Sequence, residues 1–312
     1  MRQVAVGKLY DHFRERLEFE WLCGERTAAI VARHEGVFPA DLIGHLSYIH
    51  ADRVQVLGAE EVRWVAQEAG TTAGAYLEPV FSARPPAFIV ADGCPPPQTV
   101  RDYAAANGVA VIVTPKSAAM VIEHIRNYLM RELAQTMSAH GVFMDVLGLG
   151  ALITGDSGVG KSELALELIS RGHGLVADDI VEIALVGPDL LEGRCPQLLR
   201  DFLEVRGLGV LNVRTVFGET ACRRKMKLQL VVYLQKPTPG IPEATRLPLE
   251  HETVNMLGVQ IRKVIIPVAA GRNLAVLVET AVRTTILKMR GIDSTLEFID
   301  RQQQALNADD LD

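Results

Sequence analysis

"ITGDSGVGKSELALELISRG", residues 153–172, decides how the rest of the chain is read. Gly155, Gly160, Lys161 and Ser162 satisfy the spacing G-x-x-x-x-G-K-[ST]. An apolar strand, Ala151 to Thr154, runs into this motif, and a helix with Leu164, Leu168 and Ile169 on one face runs out to Gly172. Strand, loop and helix in that order form a phosphate cradle. Glycines allow backbone angles that turn successive N–H groups inward, and the following helix offers further unpaired N–H groups to an anion. The stretch Gly155, Asp156, Ser157, Gly158, Val159, Gly160, Lys161 and Ser162 is therefore expected to bind a nucleotide. Lys161 is placed to bridge the β and γ phosphates, and the Ser162 hydroxyl to ligate Mg2+.

Seventeen residues past Lys161, the apolar run "GLVA" ends in Asp178 and Asp179. The short helix between them forces that run to lie beside the cradle, so the two carboxylates are expected near the terminal phosphate. Adjacent residues on a strand point to opposite faces, so one acid can face the reacting centre while the other serves a metal, a histidine or the structure. A hydroxyl nucleophile must lose a proton to become a phosphate ester, and a carboxylate within hydrogen-bonding reach is the usual acceptor. Water as acceptor gives an ATPase; a protein hydroxyl gives a kinase. The cradle alone leaves both open, with a nucleotide-binding regulator without turnover as a third reading.

Further candidates are weaker as single residues. His140 precedes the first strand of this region, and Arg246 sits in "TPGIPEATRLP", long enough for a loop over the site. In "LEVRGLGVLN" (203–212), Glu204 and Arg206 alternate with apolar residues, and two glycines suggest close approach of a ligand or another backbone.

Elsewhere the pattern gives organisation. "PAFIVA" (86–91) reads as a buried strand, Pro95 to Pro97 open a helix through Asn107, and Gly108 stops it before "VAVIVT", which makes one βαβ unit. Its loop carries no phosphate fingerprint and reads as scaffold. Apolar residues at helical spacing run from Ser117 to about Ser138 as a connector, which places a domain boundary near residue 130. "VFMDVLG" and "GALITG" read as paired strands, and further strands are expected around 175–185 and 227–235. A long helix closed by Gly291 and a Ser294/Glu297 capping box end the chain. The fold class is α/β, with a small N-terminal α/β domain over 1–130 and a P-loop domain over 131–312.

Composition bounds the partners. The chain has 312 residues and a formal net charge of −6, which gives no general electrostatic reason to bind nucleic acid or an anionic membrane. The basic run Arg223, Arg224, Lys225, Lys227 reads as a solvated strand end. Apolar segments are interrupted well before the roughly 18 residues of a membrane span. Four cysteines without metal spacing or disulfide density suit a reducing compartment, so the expectation is a soluble, cytoplasmic protein.

Taken together, "HGVFMDV" (140–146), "GDSGVGKS" (155–162), "LVADDIVEI" (175–183), "LEVRGLGVLN" (203–212) and "PVAAGRN" (267–273) closely resemble the bacterial HPr kinase/phosphorylase family. The resemblance implies an enzyme that phosphorylates a regulatory serine of the phosphocarrier protein HPr with ATP or, in some members, pyrophosphate. It also implies the reverse step, in which inorganic phosphate removes the seryl phosphate as pyrophosphate. Carried onto matching positions, Asp179 resembles the base that deprotonates the serine and the acid of the reverse step, with His140 and Asp178 in support. Lys161 resembles the phosphate clamp, Ser162 and Glu204 the magnesium ligands with Asp178 as a further candidate, and Arg246 the active-site arginine. Around Arg246 the block departs from the family pattern: "ATRLPLE" stands here. Segment 267–272 resembles the region the family needs chiefly for dephosphorylation. The resemblance further implies a hexamer whose C-terminal helices help to receive HPr, and a P-loop domain like that of phosphoenolpyruvate carboxykinases.

Overall fold

The apolar run before the glycine loop forms a strand, Leu149–Gly155, in the computed structural model, which describes residues 2–31, 38–67, 72–236, 252–269 and 271–309. This strand lies between Val142–Val146, antiparallel to it, and Lys225–Gln235, parallel to it. Both of its faces are buried, as its near-continuous apolar sequence requires. On one face, Ala151 and Ile153 pack with Leu230, Val232 and Leu234 against the helices Lys161–Ser170 and Leu274–Met289. On the other, Leu152 and Val231 meet Phe143, Val181, Ile183 and Leu191. The period of two along each strand thus builds two cores from one sheet.

That sheet has nine strands among the described residues. Lys225–Gln235 is its longest member and serves two branches: its first residues pair with Leu190–Arg194, and Leu230 onward pairs with Val259–Pro267. Beyond Leu190–Arg194 lie Ile180–Gly187 and then Gln135–His140. The chain divides into two units, Met1–Ala134 and Gln135–Asp312.

In the first unit, strands Ile43–His45, Val54–Leu57, Ala87–Val90 and Ala110–Val113 are parallel, and Glu20–Cys23 closes one edge antiparallel. The expected βαβ unit is Ala87–Val90, helix Gln98–Asn107 and Ala110–Val113, with Gly108 ending the helix in the left-handed region. Its loop acts as scaffold: the Asp92 carboxylate accepts N–H bonds from Ala59 and Ala118, tying two helix starts to the sheet. Buried Gln55 is satisfied by Ser47 N–H and by the carbonyls of His50 and Arg53.

Three expectations change. The helix beginning at Ala118 ends at Glu132, and its Val121, Ile125 and Leu129 belong to the first unit's core; Gln135–His140 is a strand, not a continuing helix. The last helix, Ser294–Asp309, is capped one residue earlier than read, because the Asp293 carboxylate accepts the Thr295 N–H. The basic run is ion-paired rather than merely solvated, with Arg223 on Asp145 and Lys225 on Glu192. None of the described helices is long and apolar enough to cross a membrane.

Gly141 sits where the chain passes from Gln135–His140 to Val142–Val146, with φ +154, and an added Cβ would lie 2.4 Å from the Ile153 carbonyl oxygen. Gly172, with φ +93, has nothing within 4 Å of such a Cβ. Gly141→Ala is therefore expected to lose about 2 kcal/mol or more of unfolding free energy, against about 1 kcal/mol for Gly172→Ala, which bears only the backbone strain. Urea denaturation of both variants checks the ordering; equal losses would contradict it.

Candidate active site

Gly155 ends its strand with φ +142, and a Cβ there would lie 2.5 Å from the Leu234 carbonyl oxygen, so only glycine lets the loop leave so close to the neighbouring strand. Gly158 and Gly160 also take positive φ, and helix Lys161–Ser170 begins at once. The Lys161 ammonium donates to the carbonyls of Gly155 (2.9 Å) and Asp156 (3.0 Å), folded over its own loop. Lys236 donates to Ser157 O at 3.0 Å and buttresses the loop from the parallel strand. No local sequence pattern singles out Lys236.

A cleft of about 750 Å³ opens over this loop. Lys161, Ser162, Asp178, Asp179, Glu204 and His140 all line it, so the fold gathers residues from four separate stretches around the cradle. Asp178 and Asp179 are separated by a means other than strand alternation: they occupy a break between Gly174–Ala177 and Ile180–Gly187, and Asp179 stands at φ +64. The Asp179 carbonyl accepts the Gly141 N–H at 3.1 Å, and Ile180 pairs with His140 across the sheet. These contacts bring His140 Nδ1 to 3.7 Å from Asp179 Oδ1, with the two side chains 83% and 77% exposed.

Asp178 turns the other way. Its Oδ2 accepts the backbone N–H of Glu204 at 3.0 Å. Burial pushes its carboxyl above the ordinary range, opposed by the N–H groups of Glu204 and Asp179. That bond ties the hairpin Phe202–Val205/Gly209–Asn212 to the cleft wall.

In that hairpin Leu203 and Val205 point into the core, so the alternating Glu204 and Arg206 face out to the cleft. Gly207 and Gly209 hold positive φ in the turn, and a Cβ on either would meet nothing within 4 Å. They serve the turn, no other backbone approaches them, and both line the cleft. Arg206 reaches the loop: a Cβ on Gly158 would lie 3.7 Å from its Nη2. Arg214 fixes the base of the hairpin, donating to Asp201 and Glu219 at 2.8 Å each. Arg246 falls in 237–251, outside the described residues.

Among the described residues no three His, Cys, Asp or Glu side chains are grouped to hold a metal. Ser162 and Glu204 line the cleft with oxygen donors, as do Asp178 and Asp179. Such a small, all-oxygen set fits a magnesium ion, which keeps several waters and takes the remaining ligands from phosphates. The four cysteines are free thiols; burial pushes Cys195 and Cys222 up to about 11, which leaves them unreactive.

Family models for the HPr serine kinase N terminus and C-terminal domain match residues 4–129 and 131–302. The chain belongs to the HPr serine kinase family. Among its relatives, an HPr kinase/phosphorylase of Aromatoleum aromaticum is 56% identical over 309 residues, 99% of each chain. One of Bordetella pertussis is 50% identical over 97% of this chain and 98% of its own. A solved structure, the Hpr(Ser) kinase/phosphatase from Coxiella burnetii, is 36% identical, covers 52% of this chain and 98% of its own, and has a TM-score of 0.47.

The raised Asp178 carboxyl gives a test of its structural character. Folding disfavours its ionised form, so this carboxyl costs stability above its folded value, and the cost disappears as pH falls through that value toward the unfolded one of about 3.9. In protein free of nucleotide and divalent ions, Asp178→Asn should be at least as stable as the parent at pH 8, with the parent gaining on the variant as pH falls. Denaturation across a pH series reads this; a parent clearly more stable at pH 8 would contradict it.

Proposed function

We propose that this chain is an HPr kinase/phosphorylase. It transfers the γ-phosphoryl group of ATP to a serine hydroxyl of HPr, and in reverse transfers the seryl phosphoryl group to inorganic phosphate, giving pyrophosphate. The observation that carries this reading is the position of Asp179, on the same cleft as the glycine loop and turned to solvent beside His140. A reacting carboxylate so exposed suits a macromolecular substrate, because an incoming protein surface can deliver its serine and exclude water at the same moment.

In the forward direction Asp179 accepts the proton of the serine hydroxyl as its oxygen attacks phosphorus. In reverse it returns that proton to the seryl oxygen as the P–O bond breaks. His140, 3.7 Å away, is placed to orient the carboxylate. Lys161 exchanges the carbonyls of Gly155 and Asp156 for phosphate oxygens, and loop N–H groups share the charge. Arg206 adds a positive group against the loop, and Asp178 acts through the backbone of Glu204. Ser162 and Glu204 would hold magnesium, which supplies neutralisation of phosphate charge when bound. Arg246 is proposed as a further phosphate-facing cation, on the resemblance of its block.

Homo-oligomerisation, as a hexamer, belongs to the same proposal; Ile292, Leu296 and Phe298, near half exposed toward the C-terminal end, support a covered apolar face. A cytoplasmic setting suits the four free thiols.

Lys161→Ala is expected to abolish ATP-dependent phosphorylation of HPr. Asp179→Asn should lose serine phosphorylation by a hundredfold or more while still binding nucleotide. Labelled ATP with HPr measures the first property and calorimetry the second; undiminished kinase activity in the Asn variant would overturn the base assignment.

A further inference from the structure

A second cleft, of about 480 Å³, adjoins the first and is lined by Gly160, Glu163, Leu164, Glu167, Arg272 and Leu274, among others. It shares Gly160 and Glu163 with the first cleft, whereas His140, Asp179 and Glu204 line only the first. A nucleotide whose middle phosphate occupies the glycine loop must extend two ways. Its terminal phosphoryl group has to meet Asp179, so its other end leaves where Asp179 is not. We propose that the second cleft is the nucleoside subsite, a proposal that rests on the ATP-dependent reading above.

The lining fits that occupant and not a longer phosphate chain. The Glu163 carboxylate, and that of Glu167 beside its 2.8 Å ion pair with Arg171, accept hydrogen bonds from ribose hydroxyls or an exocyclic amine, and the Glu163 charge repels further phosphates. Leu274 gives an apolar wall for the base, and the Arg272 guanidinium is suited to stacking on a planar ring. The turn carrying Arg272 is held at both ends: Arg272 N–H donates to the Ala269 carbonyl at 3.2 Å, and the Asn273 side chain accepts the Val276 N–H at 3.0 Å. The volume falls within the roughly 300–1,000 Å³ usual for small-molecule sites. Glu163, Glu167 and Leu274 take no part in holding inorganic phosphate or pyrophosphate, so these walls distinguish the nucleotide donor from the phosphate ligands of the reverse step.

The test compares ADP with pyrophosphate as ligands of the full chain, by calorimetry in the presence of magnesium. Glu167→Ala and Leu274→Trp are the variants; Arg272 stays unchanged because its segment resembles the region tied to dephosphorylation. Both variants should bind ADP at least tenfold more weakly than the parent and pyrophosphate within twofold of it. Equal loss for the two ligands, or no loss for either, overturns the subsite while leaving the phosphoryl-transfer reading in place. A parent that binds neither ligand overturns both. Photolabelling the parent with an azido-adenine nucleotide gives a second readout that depends on no substitution. Label in peptides 161–171 or 271–290 supports the subsite, and label confined to 202–212 overturns it.

Discussion

A single hydrogen bond, from the Glu204 backbone N–H to Asp178 Oδ2 at 3.0 Å, joins the break after Gly174–Ala177 to the hairpin that begins at Phe202. Leu203 and Val205 seat the hairpin in the core, and this bond adds a direct tie between the stretches that carry Asp179 and Glu204. With it, a half-buried carboxyl in the cleft wall is tied to the stretches that carry two exposed ones. The expense is desolvation of Asp178, visible in its raised titration, and that arrangement is typical of sites where position matters more than stability.

The rest of the site is built on rigid elements. Gly155 leaves a strand buried on both faces and passes within van der Waals range of Leu234, so the loop begins from a fixed point. His140 and Asp179 are brought together by sheet pairing and by the bond from Gly141 to the Asp179 carbonyl. The side chains of His140 and Asp179 themselves stay exposed. Preorganised backbone with open side chains is what a phosphoryl-transfer site needs when its substrate is the surface of another protein.

Much of this was legible in the sequence, unevenly. The cradle could be read because its chemistry demands particular residue types at fixed spacing, and the Leu149–Gly155 strand and its helix follow from apolar period. The acids at 178 and 179 were visible, but the backbone break between their strands was not, since an aspartate at φ +64 carries no glycine to announce it. Gln135–His140 was missed because its alternation rests on Met137 and Ala139 alone, too short to outweigh the helical spacing that leads into it. Glu204 as a metal ligand came from family resemblance alone, and the reach of Arg206 and Lys236 to the loop depends on tertiary packing that no local pattern encodes.

The central claim is that one carboxylate-lined cradle moves a phosphoryl group between a serine and a phosphate, and not to water. Phosphorus NMR of seryl-phosphorylated HPr incubated with this protein, magnesium and inorganic phosphate tests it most directly. The account predicts pyrophosphate growing one for one as phosphoserine declines. Orthophosphate growing alone, with no pyrophosphate, would contradict it.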